Sequence, residues 1–179
     1  MRREIRIAGF GGQGVVLAGY ILGKALSIYV GLEAVMTQAH GPEARGGASS
    51  ADLVLSENPI AYPFVQRPDY LVVLSQEAYT KFRPTARTAA EVFIDDDLVN
   101  PQDGDLVYTI PATRLAEDLG RRIVANVVML GFFTATTGLV DTQSMHKALE
   151  TSVKSKTLPL NLNAFNAGCE YPALKEQIG

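Results

Sequence analysis

The chain has 179 residues, 47% hydrophobic and 20% charged, with a net charge of −3 at pH 7; that is material for one filled core and excludes a disordered chain. Lys and Arg are scattered along the chain with no run longer than two, so no basic stripe awaits a phosphate backbone and nucleic acid is not an expected partner. The single cysteine, Cys169, cannot build a disulfide framework, a Cys-rich zinc site or an iron–sulfur cluster, each of which takes several thiolates.

Ile5 to Gly9 is a short β-type run that leads into a glycine cluster, and the apolar spacing of Val15 to Tyr29 then suits a helix. A second strand fits Glu33 to Gln38. A polar, glycine-containing loop follows from Ala39 to Ser50, and Ala51 to Ser56 resumes a strand. Tyr70 to Ser75 is a continuous apolar strand of the kind buried on both faces of a parallel sheet, with Gln76 to Arg83 helical behind it. Glu91 to Ile94 and Leu106 to Ile110 repeat the strand signature. From Pro111 the pattern turns helical: Ala112 to Leu119, Arg122 to Thr136, Thr142 to Ser152 behind an Asp141 cap, and Asn161 to Gln177. Strands alternating with helices predict a three-layer α/β/α fold with a mainly parallel sheet. No linker or repeat interrupts it, so residues 1–179 read as one domain.

Two features bear on location. Met1 to Ile7 carries four charged residues and runs straight into the glycine loop, leaving no room for a secretory apolar segment, so a cytoplasmic address is expected. Ile123 to Val140 is an uncharged run of membrane-span length. Its Asn126, Gly131, Thr134, Thr136, Thr137 and Gly138 dilute the apolarity, and a buried helix with no membrane role is the expectation.

The strongest local motif is Gly9, Phe10, Gly11, Gly12, Gln13, Gly14, a G-x-G-x-x-G pattern between a strand and a helix, in the manner of a Rossmann-like glycine loop. Such glycines let the backbone turn tightly and approach an anion, while the helix start offers free N–H groups and the positive end of its dipole. Two readings stand: a phosphate cradle, or glycines that only permit close packing of the turn. A nicotinamide-binding enzyme also needs an acidic residue at the end of the second strand, and Glu33 falls at its start instead.

His40, Gly41, Pro42, Glu43, Ala44, Arg45, Gly46, Gly47 form a second constellation, expected beside the first loop. Arg45 followed by two glycines can present a guanidinium and bare N–H groups together to a carboxylate, a phosphate or a partner's acidic side chain. The alternative is an ordered loop held by its own Glu43 and Arg45. Asp95, Asp96 and Asp97 read as a solvated strand end and no metal site is assigned to them. Cys169, His40 and His146 make no recognisable nucleophile arrangement, and His146 is placed on the polar side of its helix. No catalytic residue is assigned.

The two loops together resemble the γ subunits of 2-oxoacid:ferredoxin oxidoreductases. The resemblance rests on Ile5 to Gly14 (IRIAGFGGQG), on Gly41 to Gly47 (GPEARGG) and the serines after it, on Pro68 and Asp69, on Asn126 with Met129, Leu130 and Gly131, and on Asn163, Ala164, Phe165, Ala167 and Gly168. It spans essentially the whole chain. His40 departs from it, standing where a Tyr is expected.

The resemblance implies a complex whose α and β subunits hold thiamine diphosphate and Mg, with iron–sulfur clusters in β or in a ferredoxin-like δ subunit. That complex oxidatively decarboxylates a 2-oxoacid, forms the acyl-coenzyme A and passes electrons to ferredoxin; the present chain would bind none of the catalytic cofactors alone and would be inactive alone. The form of the Gln38 to Ser50 stretch is more like that of the 2-oxoglutarate enzymes than of the pyruvate ones, with branched-chain 2-oxoacid and indolepyruvate enzymes as alternatives. The γ domain would cover the active site, with Gly9, Gly11, Gly12, Gln13, Gly14, Arg45, Gly46 and Gly47 on the coenzyme A path or at a subunit interface. A non-catalytic assembly module and an independent nucleotide-binding oxidoreductase remain as alternatives.

Overall fold

The computed structural model describes residues 1–39, 47–171 and, as backbone alone, 175–177. Seven strands form one sheet in the order β2-β3-β1-β4-β5-β6-β7. They are β1 (Arg2–Phe10), β2 (Glu33–Ala39), β3 (Ala48–Ser56), β4 (Tyr70–Val73), β5 (Glu91–Asp95), β6 (Leu106–Ile110) and β7 (Lys175–Gln177). β1, β4, β5 and β6 are mutually parallel, while β3 is antiparallel to both β1 and β2, and β7 is antiparallel to β6. Five strands therefore point one way, and the expected mainly parallel sheet stands with antiparallel additions on both flanks.

The strand period of two divides the core. Ile5 and Ile7, Val72 and Leu74, and Phe93 point into one layer, which α1 (Val15–Lys24), α3 (Ala112–Asp118), α4 (Ala125–Thr137), α5 (Thr142–Glu150) and α6 (Leu158–Glu170) cover. Ala8, Leu71, Val73, Val92 and Ile94 point into the other, covered by α2 (Gln76–Phe82) through Ala78, Tyr79 and Phe82. Burying both faces explains why β4 and β5 read as unbroken apolar runs.

The helix read over Val15 to Tyr29 is α1 continued by a π-helical turn at Ala25–Tyr29, where the Val30 N–H reaches back five residues to the Ala25 carbonyl at 3.1 Å. Asp141 caps α5 as expected, its Oδ1 accepting the Ser144 N–H at 2.8 Å. Ile123 to Val140 yields α4, buried through Thr134 except at its first residue; among the described residues no helix is long and apolar enough to cross a membrane. Two readings need correction. β3 begins at Ala48, so Ser49 and Ser50 belong to the strand; Ser50 faces Ala8 on β1 and Ala39 on β2. The terminal helix does not run to Gln177: it stops at Glu170, Tyr171 is extended with ψ 127°, and β7 adds to the sheet. Pro172 was the available signal, because proline pushes the residue before it out of the helical region.

Candidate functional site

β1 feeds α1 on one face of the sheet, while its parallel neighbour β4 feeds α2 on the other. Between their carboxyl ends lies a topological switch point, the place where open α/β sheets receive ligands. The glycine loop occupies it. Gly12 and Gly14 have φ of +93° and +73°, conformations that favour glycine, and Gly14 is the residue from which α1 starts.

The loop's members divide by what surrounds them. A Cβ on Gly9 would lie 2.5 Å from the Gln13 Oε1 and one on Gly14 would lie 2.4 Å from the Asn126 Nδ2, so these two positions exist for packing. Nothing lies within 4 Å of a Cβ built on Gly11 or Gly12, and both are exposed. Gln13, expected to face a ligand, braces the turn: its Oε1 accepts the Phe10 N–H at 2.6 Å, its Nε2 donates to the Leu74 carbonyl at 2.7 Å, and its backbone N–H donates to the Phe10 carbonyl at 3.1 Å. Among the glycines of this loop, Gly11 and Gly12 are the ones open to an incoming group.

The β2–β3 connection leaves the sheet after Ala39 and re-enters at Gly47, beside Ala48, which pairs with Phe10. The start of β3 at Ala48 thus lies beside the start of the glycine loop. Arg45, Gly46 and His40 lie outside the described residues.

Two cavities flank the loop. One of about 220 Å³ is lined by Gly12, Gln13, Leu74, Asp95, Thr113 and Arg122, the other of about 370 Å³ by Phe10, Gln13, Ser75, Gln76, Leu98 and Arg122. Asp95 corrects the sequence reading: rather than part of a solvated run, it is fully buried. Its Oδ2 accepts from the Thr113 N–H at 2.9 Å and the Thr113 hydroxyl at 2.5 Å, and its Oδ1 from the Asp97 N–H at 3.2 Å. Burial pushes its carboxyl above the ordinary aspartate range, against these hydrogen bonds that favour the charged form. Asp97 is turned outward onto the Arg114 guanidinium. The position of Asp95 at the carboxyl end of a parallel strand was a usable sign that it borders a cleft; Thr113 and Arg122 carried none.

His146 is half-buried rather than on an open polar side, with Nε2 2.9 Å from the Asn166 Oδ1 and its ring against Phe165. The Cys169 thiol donates to the Gly131 carbonyl at 3.3 Å, and burial pushes its pKa up to about 11, so it is a poor nucleophile. Glu33 opposes Ser56, whose other neighbour is Arg2 at the amino end of β1. At 3.3 Å per residue that is ~26 Å from the glycine loop, and antiparallel β3 separates β2 from β1. The ribose-holding geometry of a classical dinucleotide site is not reproduced.

Comparison with known proteins decides the lineage: the family model described as pyruvate ferredoxin/flavodoxin oxidoreductase matches residues 4–171. The chain belongs to that family. Within the pyruvate ferredoxin/flavodoxin oxidoreductase family it is 49% identical over 175 residues to 2-oxoglutarate synthase subunit KorC of Methanocaldococcus jannaschii, covering 95% of this chain and 94% of that one. It is 36% identical over 185 residues to pyruvate synthase subunit PorC of Methanothermobacter thermautotrophicus, covering 97% and 94%. The solved keto/oxoacid ferredoxin oxidoreductase γ subunit of Geobacter sulfurreducens superposes with a TM-score of 0.86 at 38% identity, covering 95% of each chain.

Proposed function

We propose that this chain is the γ subunit of a 2-oxoacid:ferredoxin oxidoreductase complex with 2-oxoglutarate as the oxoacid. The observation that carries the reading is the end-to-end identity of 49% with a 2-oxoglutarate synthase subunit, against 36% with a pyruvate synthase subunit. The complex would decarboxylate 2-oxoglutarate oxidatively, conjugate the acyl group to coenzyme A and pass electrons to ferredoxin. Thiamine diphosphate, Mg and iron–sulfur clusters would reside in α, β and δ partners, since one cysteine cannot ligate a cluster. Chemistry of this kind belongs to the cofactors, and the protein contributes placement.

The γ chain's contribution is to cover the active site as one domain and guide coenzyme A. Exposed Gly11 and Gly12 leave open backbone at a switch point, next to the ends of the loop that carries Arg45, Gly46 and Gly47. The packing of Gly9 and Gly14 and the bracing by Gln13 favour a second reading for those three residues, in which they shape a rigid loop that a catalytic subunit docks against.

The test is Arg45→Ala in the assembled complex. A raised KM for coenzyme A with assembly and the oxoacid KM unchanged is the expected result; an unchanged KM for coenzyme A removes Arg45 from the path. The substrate is tested by pulling the tagged chain down anoxically with its partners and measuring coenzyme A-dependent dye reduction with 2-oxoglutarate and with pyruvate.

A further inference from the structure

Two side-chain amides tie the glycine loop to distant parts of the fold. Gln13 reaches the Leu74 carbonyl just past β4. On the other side the Gly14 carbonyl accepts the Asn126 Nδ2 at 3.0 Å, in addition to the Ala18 N–H at 2.9 Å within the first turn of α1. Asn126 is the second residue of α4 and is buried. Its Oδ1 takes the Val127 N–H at 2.9 Å, one of the donors that a helix start leaves unpaired, and this bond turns the Nδ2 toward Gly14.

The same contact joins the two walls of the cleft. The cavity of about 220 Å³ has Gly12 and Gln13 on one side and Arg122, Ile123 and Ala125 on the other. Gln13 directly precedes Gly14, and Ala125 directly precedes Asn126. A third cavity, of about 350 Å³, has Gly14, Val124 and Asn126 in its wall, and Ile123 borders both hollows. The Asn126–Gly14 hydrogen bond thus stands where the two cavities meet. Among the described residues no other hydrogen bond links residues 9–14 to residues 121–126, so the polar connection across the cleft is this one.

We propose that Asn126 is a positioning residue for coenzyme A, which sets the width of the cleft by holding the glycine loop against the start of α4. It touches no ligand and acts through Gly14. The proposal rests on the reading that the glycine loop lies on the coenzyme A path. Gly14 has a φ of +73° and no side chain, so without the Nδ2 donor its carbonyl is free to turn. Gln13 and Gly12 move with it, and the cleft opens toward the hollow behind. A shift of about 1 Å in a positioning wall is enough for a large loss of function. The loss falls on the binding of coenzyme A and not on the chemistry, which belongs to the cofactors, so KM changes and kcat does not.

The experiment is coenzyme A-dependent dye reduction by the assembled complex, with hydrogen exchange measured on the full chain. Asn126→Asp keeps the size and the acceptor for Val127 and removes the donor to Gly14. Tyr79→Phe is the control for lost stability: Tyr79 is fully buried in the layer on the opposite face of the sheet, where its hydroxyl donates to Asp105 and accepts the Gln102 N–H at 3.0 Å. Asn126→Asp should raise the KM for coenzyme A about tenfold, with kcat and the oxoacid KM unchanged, and should speed exchange at the Gln13 and Ala18 amides relative to the rest of α1. Tyr79→Phe should do neither. An equal rise in KM with Tyr79→Phe, or unchanged relative exchange at Gln13 and Ala18 in Asn126→Asp, overturns the proposal. If Gly11→Ala raises the KM for coenzyme A and Asn126→Asp does not, the positioning role fails while the glycine loop keeps its place on the path. If neither variant raises it, the coenzyme A reading of the loop fails and takes the positioning role with it.

Discussion

The Asn126 Nδ2 donates to the Gly14 carbonyl at 3.0 Å, while its Oδ1 accepts the Val127 N–H at 2.9 Å, so one side chain joins the start of α4 to the start of α1. Asn126 is 4% exposed, which leaves no water to replace either bond. Asn126→Ala should cost about 2 kcal/mol, as expected when buried partners are left unsatisfied. Urea unfolding should show a lower midpoint at an unchanged slope.

Gln13 makes a contrast within its own side chain. Gln13→Ala removes both the acceptor for Phe10 and the donor to Leu74, and should speed hydrogen exchange at the Phe10 amide while lowering stability by about 1–2 kcal/mol. Gln13→Glu keeps the acceptor but turns a carboxylate oxygen toward the Leu74 carbonyl, so it should fail to restore the wild-type exchange rate at neutral pH.

α4 and α6 touch backbone to backbone. A Cβ on Gly168 would fall 1.9 Å from the Val128 carbonyl oxygen, and one on Gly131 would fall 2.0 Å from the Phe165 carbonyl oxygen. Gly168→Ala should therefore destabilise by about 3 kcal/mol, the upper range for overpacking, seen as a lower melting temperature. Gly11→Ala meets open space and should stay within about 0.5 kcal/mol of wild type; on the proposed function it should still raise the KM for coenzyme A in the complex.

Cys169 should resist thiol reagents. With a pKa near 11, only about 0.1% of the thiol is ionised at pH 8. Reaction with Ellman's reagent should be slow in the native chain and accelerate on unfolding in urea; rapid native labelling would contradict its burial.

Asp95 and Asp141 should titrate on opposite sides of an ordinary aspartate. The Ser144 hydroxyl and N–H hold the Asp141 carboxyl low. Its capping contribution is present above the unfolded pKa and lost as pH falls through the lower folded value. Burial holds Asp95 high. Its folded form binds a proton more readily than the unfolded chain, so the charge opposes folding increasingly as pH rises from the unfolded pKa to the folded one. Carboxyl-carbon NMR titration checks both midpoints.

The glycine turn between β1 and α1, the strand and helix order through Ile110, the Asp141 cap and the apolar character of α4 were all determined by the sequence, because each depends on residues within a few positions of one another. Their assembly was not. Gln13 became a brace because β4 brings the Leu74 carbonyl alongside β1, and Asp95 became buried because Thr113 folds back over the end of β5. β7 exists because the chain beyond α6 meets the free edge of β6. Only the tertiary structure could make these contacts, since a hydrogen-bond partner is a property of spatial neighbours.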